Sequence, residues 1–260
     1  MIACSRMYNV APAVREAWDR TFAHAAGVSG VPLEIVAHAA PAPLDELWAR
    51  DDMGAVLMCG WPFAAADPQP VPIAVPLPAP PHYGGEPVYF TCLVVRRESA
   101  FASIEDTFGG RVAWTVRNSY SGFAALHHHL LGYRTPDRPD PFREWVGPLV
   151  TPAAAIDSVL EDRADVAPVD SFVWDLLDRH APERIAGLRV VGRTAAGPFP
   201  PLVASPGIGR DAAGRLTEAF AAMADAPSMR PVLDLLLLNG FAAVDATAYD
   251  ITRRRADAIS

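Results

Sequence analysis

The sequence predicts an α/β protein built as two lobes. Three observations carry that prediction. Short apolar runs alternate with segments of helical periodicity from the first residues onward, the pattern of a parallel-type sheet flanked by helices. Two proline-rich breaks, at 62–88 and 197–201, interrupt the alternation and bracket a central block. Composition is globular, with 260 residues, 51% of them hydrophobic and 20% charged, which is ample chain for a large core. The expected lobes are 1–89 with 194–260, and 90–193. The chain then crosses between them twice, near Phe90 and Val191, as a hinge would need.

Each element follows in order. Ile2-Ala3-Cys4 begins a strand that ends at the turn Met7-Tyr8-Asn9. Pro12 suits a first helical turn, and Val14, Ala17, Trp18 and Phe22 recur at helical spacing to about Ala26. Leu33 to Val36 is a second strand, Leu44 to Trp48 a short helix, and Ala55 to Met58 a third strand ending at Cys59-Gly60-Trp61. The stretch 62–88 holds nine prolines. Proline lacks the amide donor, so irregular chain is expected there, with one edge strand near Ile73 to Leu77. Val88 to Val95 and Arg111 to Thr115 read as strands, and Phe123 to Leu131 as a helix. A helix begins near Pro152, a strand ends at Asp170, a helix covers Phe172 to Leu177, and Leu188 to Val191 is a strand. The remainder reads as helical, over Ala212 to Ala224, Arg230 to Leu238 and Ala248 to Ala258.

Several function classes are excluded early. The formal net charge of -8 offers no basic surface for nucleic acid. It leaves small anions open, because local amides and hydroxyls capture those. Cys4, Cys59 and Cys92 are odd in number and far apart, and read as small buried apolar residues. No run reaches the ~18 apolar residues of a membrane span, so no membrane insertion is expected. The first residues show no signal-peptide pattern, so the chain as given is expected in the cytoplasm, or in the periplasm if a leader has been removed.

The segment richest in chemistry is Asn118-Ser119-Tyr120-Ser121-Gly122, lying between a predicted strand and a predicted helix. Amides at a helix start lack internal partners and carry partial positive charge. Two hydroxyls and a glycine there can hold a small anion. Taken alone, the segment also fits an ordinary helix cap. Asp170, at a strand end before a helix, reads equally as a cap or as a cleft residue. Trp61, Tyr83 and Tyr89 are core aromatics or ligand walls, with Trp61 expected in a turn between Gly60 and Pro62. His127-His128-His129 sit about 100° apart on a helix and cannot converge on one ion. No metal and no cofactor are expected.

Three segments in combination resemble the substrate-binding proteins of phosphate, phosphite and phosphonate ABC transporters, the PhnD-like family. They are Tyr89 to Ser99; Phe108 to Ala113 with the turn 118–122; and Ala155 to Val159 with Arg163 to Ser171. The resemblance covers most of 1–205. It implies the type 2 periplasmic-binding-protein fold, in which two α/β lobes close on a ligand. It also implies that Ser119, Tyr120 and Ser121 hold an anion beside Asn118, that Tyr89 and Tyr8 line the site, and that Asp170 meets the ligand's other end. Tyr120 stands where the family usually has a small hydroxyl residue, which would move that hydroxyl outward. Gly147-Pro148-Leu149 stands where many relatives carry Gly-Ser-His. The expected function is capture of a small oxyanion such as phosphate or a phosphonate, without catalysis, with an ABC permease as the implied partner. Two alternatives stay open: a cytoplasmic enzyme on the same fold acting on a small carboxylate, as in the menaquinone pathway, with Asp170 or a histidine moving a proton, and a cytoplasmic sensor module.

Overall fold

The computed structural model describes residues 1–259. In chain order the elements are β1 (Ile2–Cys4), α1 (Pro12–Ser29), β2 (Glu34–Ile35), α2 (Leu44–Trp48), β3 (Met53–Leu57), α3 (Gly60–Ala65), β4 (Val71–Pro78), β5 (Val88–Tyr89), β6 (Thr91–Arg96) and β7 (Arg111–Ala113). There follow α4 (Ala125–Leu130), β8 (Glu144–Val146), α5 (Pro152–Leu160), β9 (Ala167–Asp170), α6 (Ser171–His180), β10 (Leu188–Arg193), β11 (Gly197–Pro198), β12 (Leu202–Ala204), α7 (Arg210–Ala221), α8 (Arg230–Leu235), β13 (Leu238–Ala242) and α9 (Asp250–Asp257).

The chain divides into two compact units, Met1–Val88 with Pro198–Asp250, and Tyr89–Gly197 with the segment from Ile251 onward. The chain therefore passes between units three times. The sequence reading placed all of 194–260 in the first lobe. The last helix instead joins the second unit, where Thr252 and Ala256 are buried and the Arg255 guanidinium donates to the Ala196 carbonyl at 2.8 Å.

The first unit is built on a six-stranded sheet in the order β13-β4-β12-β3-β1-β2. β1 runs parallel to β2 and β3, while β12 and β13 are antiparallel to their partners. Pro12 opens α1 at its first turn, and Gly30, at φ 66°, closes it with its amide on the Ala26 carbonyl. α1 buries Val14, Ala17, Trp18, Thr21, Phe22 and Ala25, one stripe of the helix. Trp18 meets Phe22 and Phe241, and Phe241 meets Phe220. On the other side Ile2, Cys4, Met53, Val56, Phe63, Val203 and Tyr249 form one core cluster.

Two expectations for this unit are corrected. The proline-rich stretch holds β4, an eight-residue strand in the interior of the sheet rather than at its edge. Its pairing is staggered: Val71 to Ala74 pair with β12, and Val75 to Pro78 with β13. Each half needs ladder bonds chiefly on one side. Pro72, Pro76 and Pro78 also share one parity, so their missing donors all fall on the same side of the strand. The helix expected through Leu238 stops at Leu235, and β13 follows it. A continuous leucine run cannot separate helix from strand by periodicity.

The second unit carries the antiparallel sheet β10-β6-β9. A parallel bridge from Val112 to Val166 and the parallel pair β7-β8 extend it. Leu93, Val95, Ile104, Val112, Leu126, Leu130, Phe142 and Val166 form its core cluster. The three cysteines are buried, and burial pushes the Cys92 thiol up to about 12, so it stays protonated.

Candidate functional site

The turn after β7 is held closed by its own residues. The Thr115 amide donates to the Gly122 carbonyl at 3.2 Å, and the Gly122 amide to the Ser119 hydroxyl at 3.0 Å. A Cβ on Gly122 would lie 2.0 Å from Thr115 Oγ1, so only glycine fits. Residues 120–124 then form one wide turn, with the Ala124 amide on the Ser119 carbonyl at 3.1 Å, before α4 continues. Ser119 is thus the cap of this helix. The Ser121 carbonyl accepts from Thr91 Oγ1 at 3.0 Å. Its hydroxyl and amide are left without a hydrogen bond to any described residue.

Thr91 ties the turn to two other strand ends. It pairs in register with Asp170. Its amide donates to Thr194 Oγ1 at 3.1 Å, and its carbonyl accepts from the Thr194 amide at 3.0 Å. Next to it, the Phe90 amide donates to Ser171 Oγ at 3.1 Å, and the Ser171 amide to the Phe90 carbonyl at 2.9 Å. Asp170 is 5% exposed, and its Oδ1 accepts from the amides of Phe172 at 2.8 Å and Val173 at 3.2 Å. It is therefore the N-cap of α6, the local role weighed against a ligand contact.

Tyr120 overturns its expected geometry. Its hydroxyl does not project outward from the turn; the ring is 1% exposed. It lies 6.1 Å from the Tyr89 ring, and a Cβ on Gly197 would come within 2.9 Å of it. Its hydroxyl accepts a hydrogen bond from the Arg255 guanidinium. Tyr89 is likewise buried, so both rings form a wall behind the turn. Asn118 is half-buried at the turn's entrance. The second unit thus brings together Asn118, Ser119, Tyr120, Ser121, Tyr89 and Asp170. Tyr8 and Trp61 belong to the first unit. Tyr8 is fully buried against Phe199, with ring centres 5.3 Å apart. Trp61 lies half-buried in the first turn of α3, a helix where a turn was expected.

Sequence reasoning missed two neighbours of the turn. Arg117 is exposed immediately before it, its guanidinium 5.7 Å from the Phe123 ring centre. The other is Val150, in the loop that follows β8. That loop runs along Trp114 and Thr115, with the Leu149 amide on the Trp114 carbonyl at 3.1 Å and the Val150 amide on the Thr115 carbonyl at 3.3 Å. Val150 has φ 66° and is 37% exposed. A β-branched residue in that region is a backbone outlier that composition could not signal. Leu149 and Val150 bring apolar side chains here.

A family model described as "ABC transporter, phosphonate, periplasmic substrate-binding protein" matches residues 8–249. No curated protein sequence matches the chain. Among solved structures, a binding-protein component of an ABC phosphonate transporter from Pseudomonas aeruginosa superposes with a TM-score of 0.77 at 16% identity, covering 100% of this chain and 89% of that one. PhnD1 from Prochlorococcus marinus, in complex with methylphosphonate, gives 0.76 at 15% identity, covering 99% and 97%. A Xanthomonas citri protein bound to ATP gives 0.68 at 20% identity, covering 100% and 96%. At these identities the likeness shows the fold, the two-lobed α/β fold of periplasmic binding proteins.

Proposed function

The chain belongs to the family of periplasmic phosphonate substrate-binding proteins of ABC transporters, and from that premise we propose that it captures a small phosphonate-class oxyanion at the turn 118–122. The family is one of solute-binding proteins rather than enzymes, and no helix among the described residues is long and apolar enough to cross a membrane. The enzymatic alternative is set aside on that ground. An ABC permease is the partner the reading carries with it.

One observation carries the assignment of the turn. Ser119, Thr91, Gly122 and Asp170 are each committed to holding the fold, whereas the hydroxyl and amide of Ser121 face no described partner at a helix start. Those two donors, with the helix's partial positive charge, suit a phosphonate oxygen. Exposed Arg117 adds a nearby positive charge. The apolar loop at Leu149 and Val150 favours an anion with an alkyl substituent over inorganic phosphate. Leucine and valine side chains carry no donor for a further oxygen and can only exclude water from a carbon.

The experiment is a thermal-shift titration with methylphosphonate, phosphite, phosphate and small carboxylates. Saturable stabilisation by a phosphonate is expected. Ser121→Ala should weaken it about tenfold or more, a loss of roughly 1.5–3 kcal/mol for a hydrogen bond to a charged group. If no anion stabilises the chain, or Ser121→Ala binds as wild type does, the reading fails.

A further inference from the structure

A concavity lies within the second unit, with a volume of about 370 Å³. Its walls are Ala125, His128, His129, Leu131 and Gly132 from α4 and the turn that follows, Thr194 and Ala195 after β10, and Arg255 of α9. The site proposed above does not use it. Arg255 and Tyr120 connect the two, because the guanidinium that lines the cavity donates to the hydroxyl behind the anion turn.

The chemistry of the lining is one-sided. Its ionisable side chains are two imidazoles and one guanidinium, with no carboxylate among them. Arg255 spends one nitrogen, Nη1, on Tyr120 and on the Ala196 carbonyl. Among the described residues no carboxylate pairs with it, so the rest of its planar fork lacks a counter-charge. A guanidinium without an acidic partner, beside two imidazole donors, is a match for an oxyanion. Ala125, Leu131, Gly132 and Ala195 supply an apolar floor. The volume falls within the range of small-molecule pockets, about 300–1,000 Å³, and exceeds what a bare ion needs.

We propose that this cavity is a second binding site, which takes a small organic anion: an oxyanion head held by Arg255 and the imidazoles of His128 and His129, and an apolar body lying on α4. The ligand takes the nitrogens of Arg255 that Tyr120 and Ala196 leave free, so its occupancy holds in place the guanidinium that supports the turn 118–122.

Isothermal titration of the full chain with phenylphosphonate, and in a parallel arm with benzoate, tests the site and separates phosphoryl from carboxylate heads. Binding of at least one probe that survives Ser121→Ala is expected. Gly132→Phe should abolish that component, since Gly132 lines the cavity and a Cβ there meets nothing within 4 Å. His128→Ala should weaken the same component fivefold or more. Circular dichroism melts establish that both variants fold, and the two variants act independently. If every binding event is lost in Ser121→Ala, or if Gly132→Phe and His128→Ala both bind the probes as wild type does, the proposal is overturned. Binding that Gly132→Phe removes and Ser121→Ala does not touch upholds this site even where the reading of the turn fails.

Discussion

A single methyl group is enough to test how the turn 118–122 is made. At Gly122 it would sit 2.0 Å from Thr115 Oγ1 and 2.9 Å from Thr115 Cγ2. Gly122→Ala should therefore destabilise the chain by about 1–3 kcal/mol, the usual penalty for forcing atoms into a filled space. Thr115→Ala in the same chain removes both contacts and should recover most of that loss in a denaturant melt. Asp170 gives a second test. As a cap it supplies an acceptor to two amides, a task that asparagine also performs. Asp170→Ala should cost about 0.5–2 kcal/mol and Asp170→Asn much less. An equal and large loss of anion affinity in both variants, with stability unchanged, would return Asp170 to the ligand. The residue types at this site were legible in the sequence, but their division of labour was not. Ser119 and Ser121 look alike in a string. Only the path of the backbone turns one hydroxyl onto the Gly122 amide and leaves the other without a partner.

At the level of elements, α4 carries a pH response. His127 stacks on Trp145 with ring centres 4.0 Å apart and meets Phe123 at 4.2 Å. Burial lowers its pKa to about 4, with the positive charges of Arg134 and Arg117 adding to the effect and Asp140 opposing it. The unfolded chain holds this imidazole near its ordinary value of 6.5. Between those values the unfolded state binds the extra proton and the folded state does not. The stability from a neutral His127 is thus complete above about pH 6.5 and lost as pH falls toward 4, by of the order of 2 kcal/mol. His127→Phe keeps the stacking and should flatten the fall in melting temperature over that window; an unchanged slope would mean other groups cause it. α9 makes a different contribution, because its Arg255 holds Tyr120. Tyr120→Phe removes the acceptor and should lower stability by about 1.5–3 kcal/mol in urea unfolding. Helices with polar stripes and prolines at their starts were readable in advance, α1 and α5 above all. β13 was not, because its first residue, Leu238, ends the leucine run that begins in α8. The strand at β4 was legible but its interior place was not, because proline argues against an interior strand until staggered pairing is considered.

For the whole molecule, the expected observable is ligand-linked stability. A ligand at one hundred times its Kd adds about 2.7 kcal/mol to the folded state. For a chain of this size that is a rise in melting temperature of very roughly 5–10 °C, which a phosphonate should produce and a neutral analogue should not. The net charge of -8 is no obstacle, since the donors are local dipoles and hydroxyls. The sequence by itself determined the α/β alternation, the two proline-rich breaks and the family resemblance. Those properties depend on local periodicity and on contiguous residues. The tertiary structure alone decided three matters: that the last helix returns to the second unit, that Tyr120 is buried against Arg255, and that the Val150 amide joins the Thr115 carbonyl beside the turn. Each joins residues far apart in the chain, some of them more than a hundred positions away. Contacts of that kind are set by packing and hydrogen-bond satisfaction across the fold, which no local pattern records.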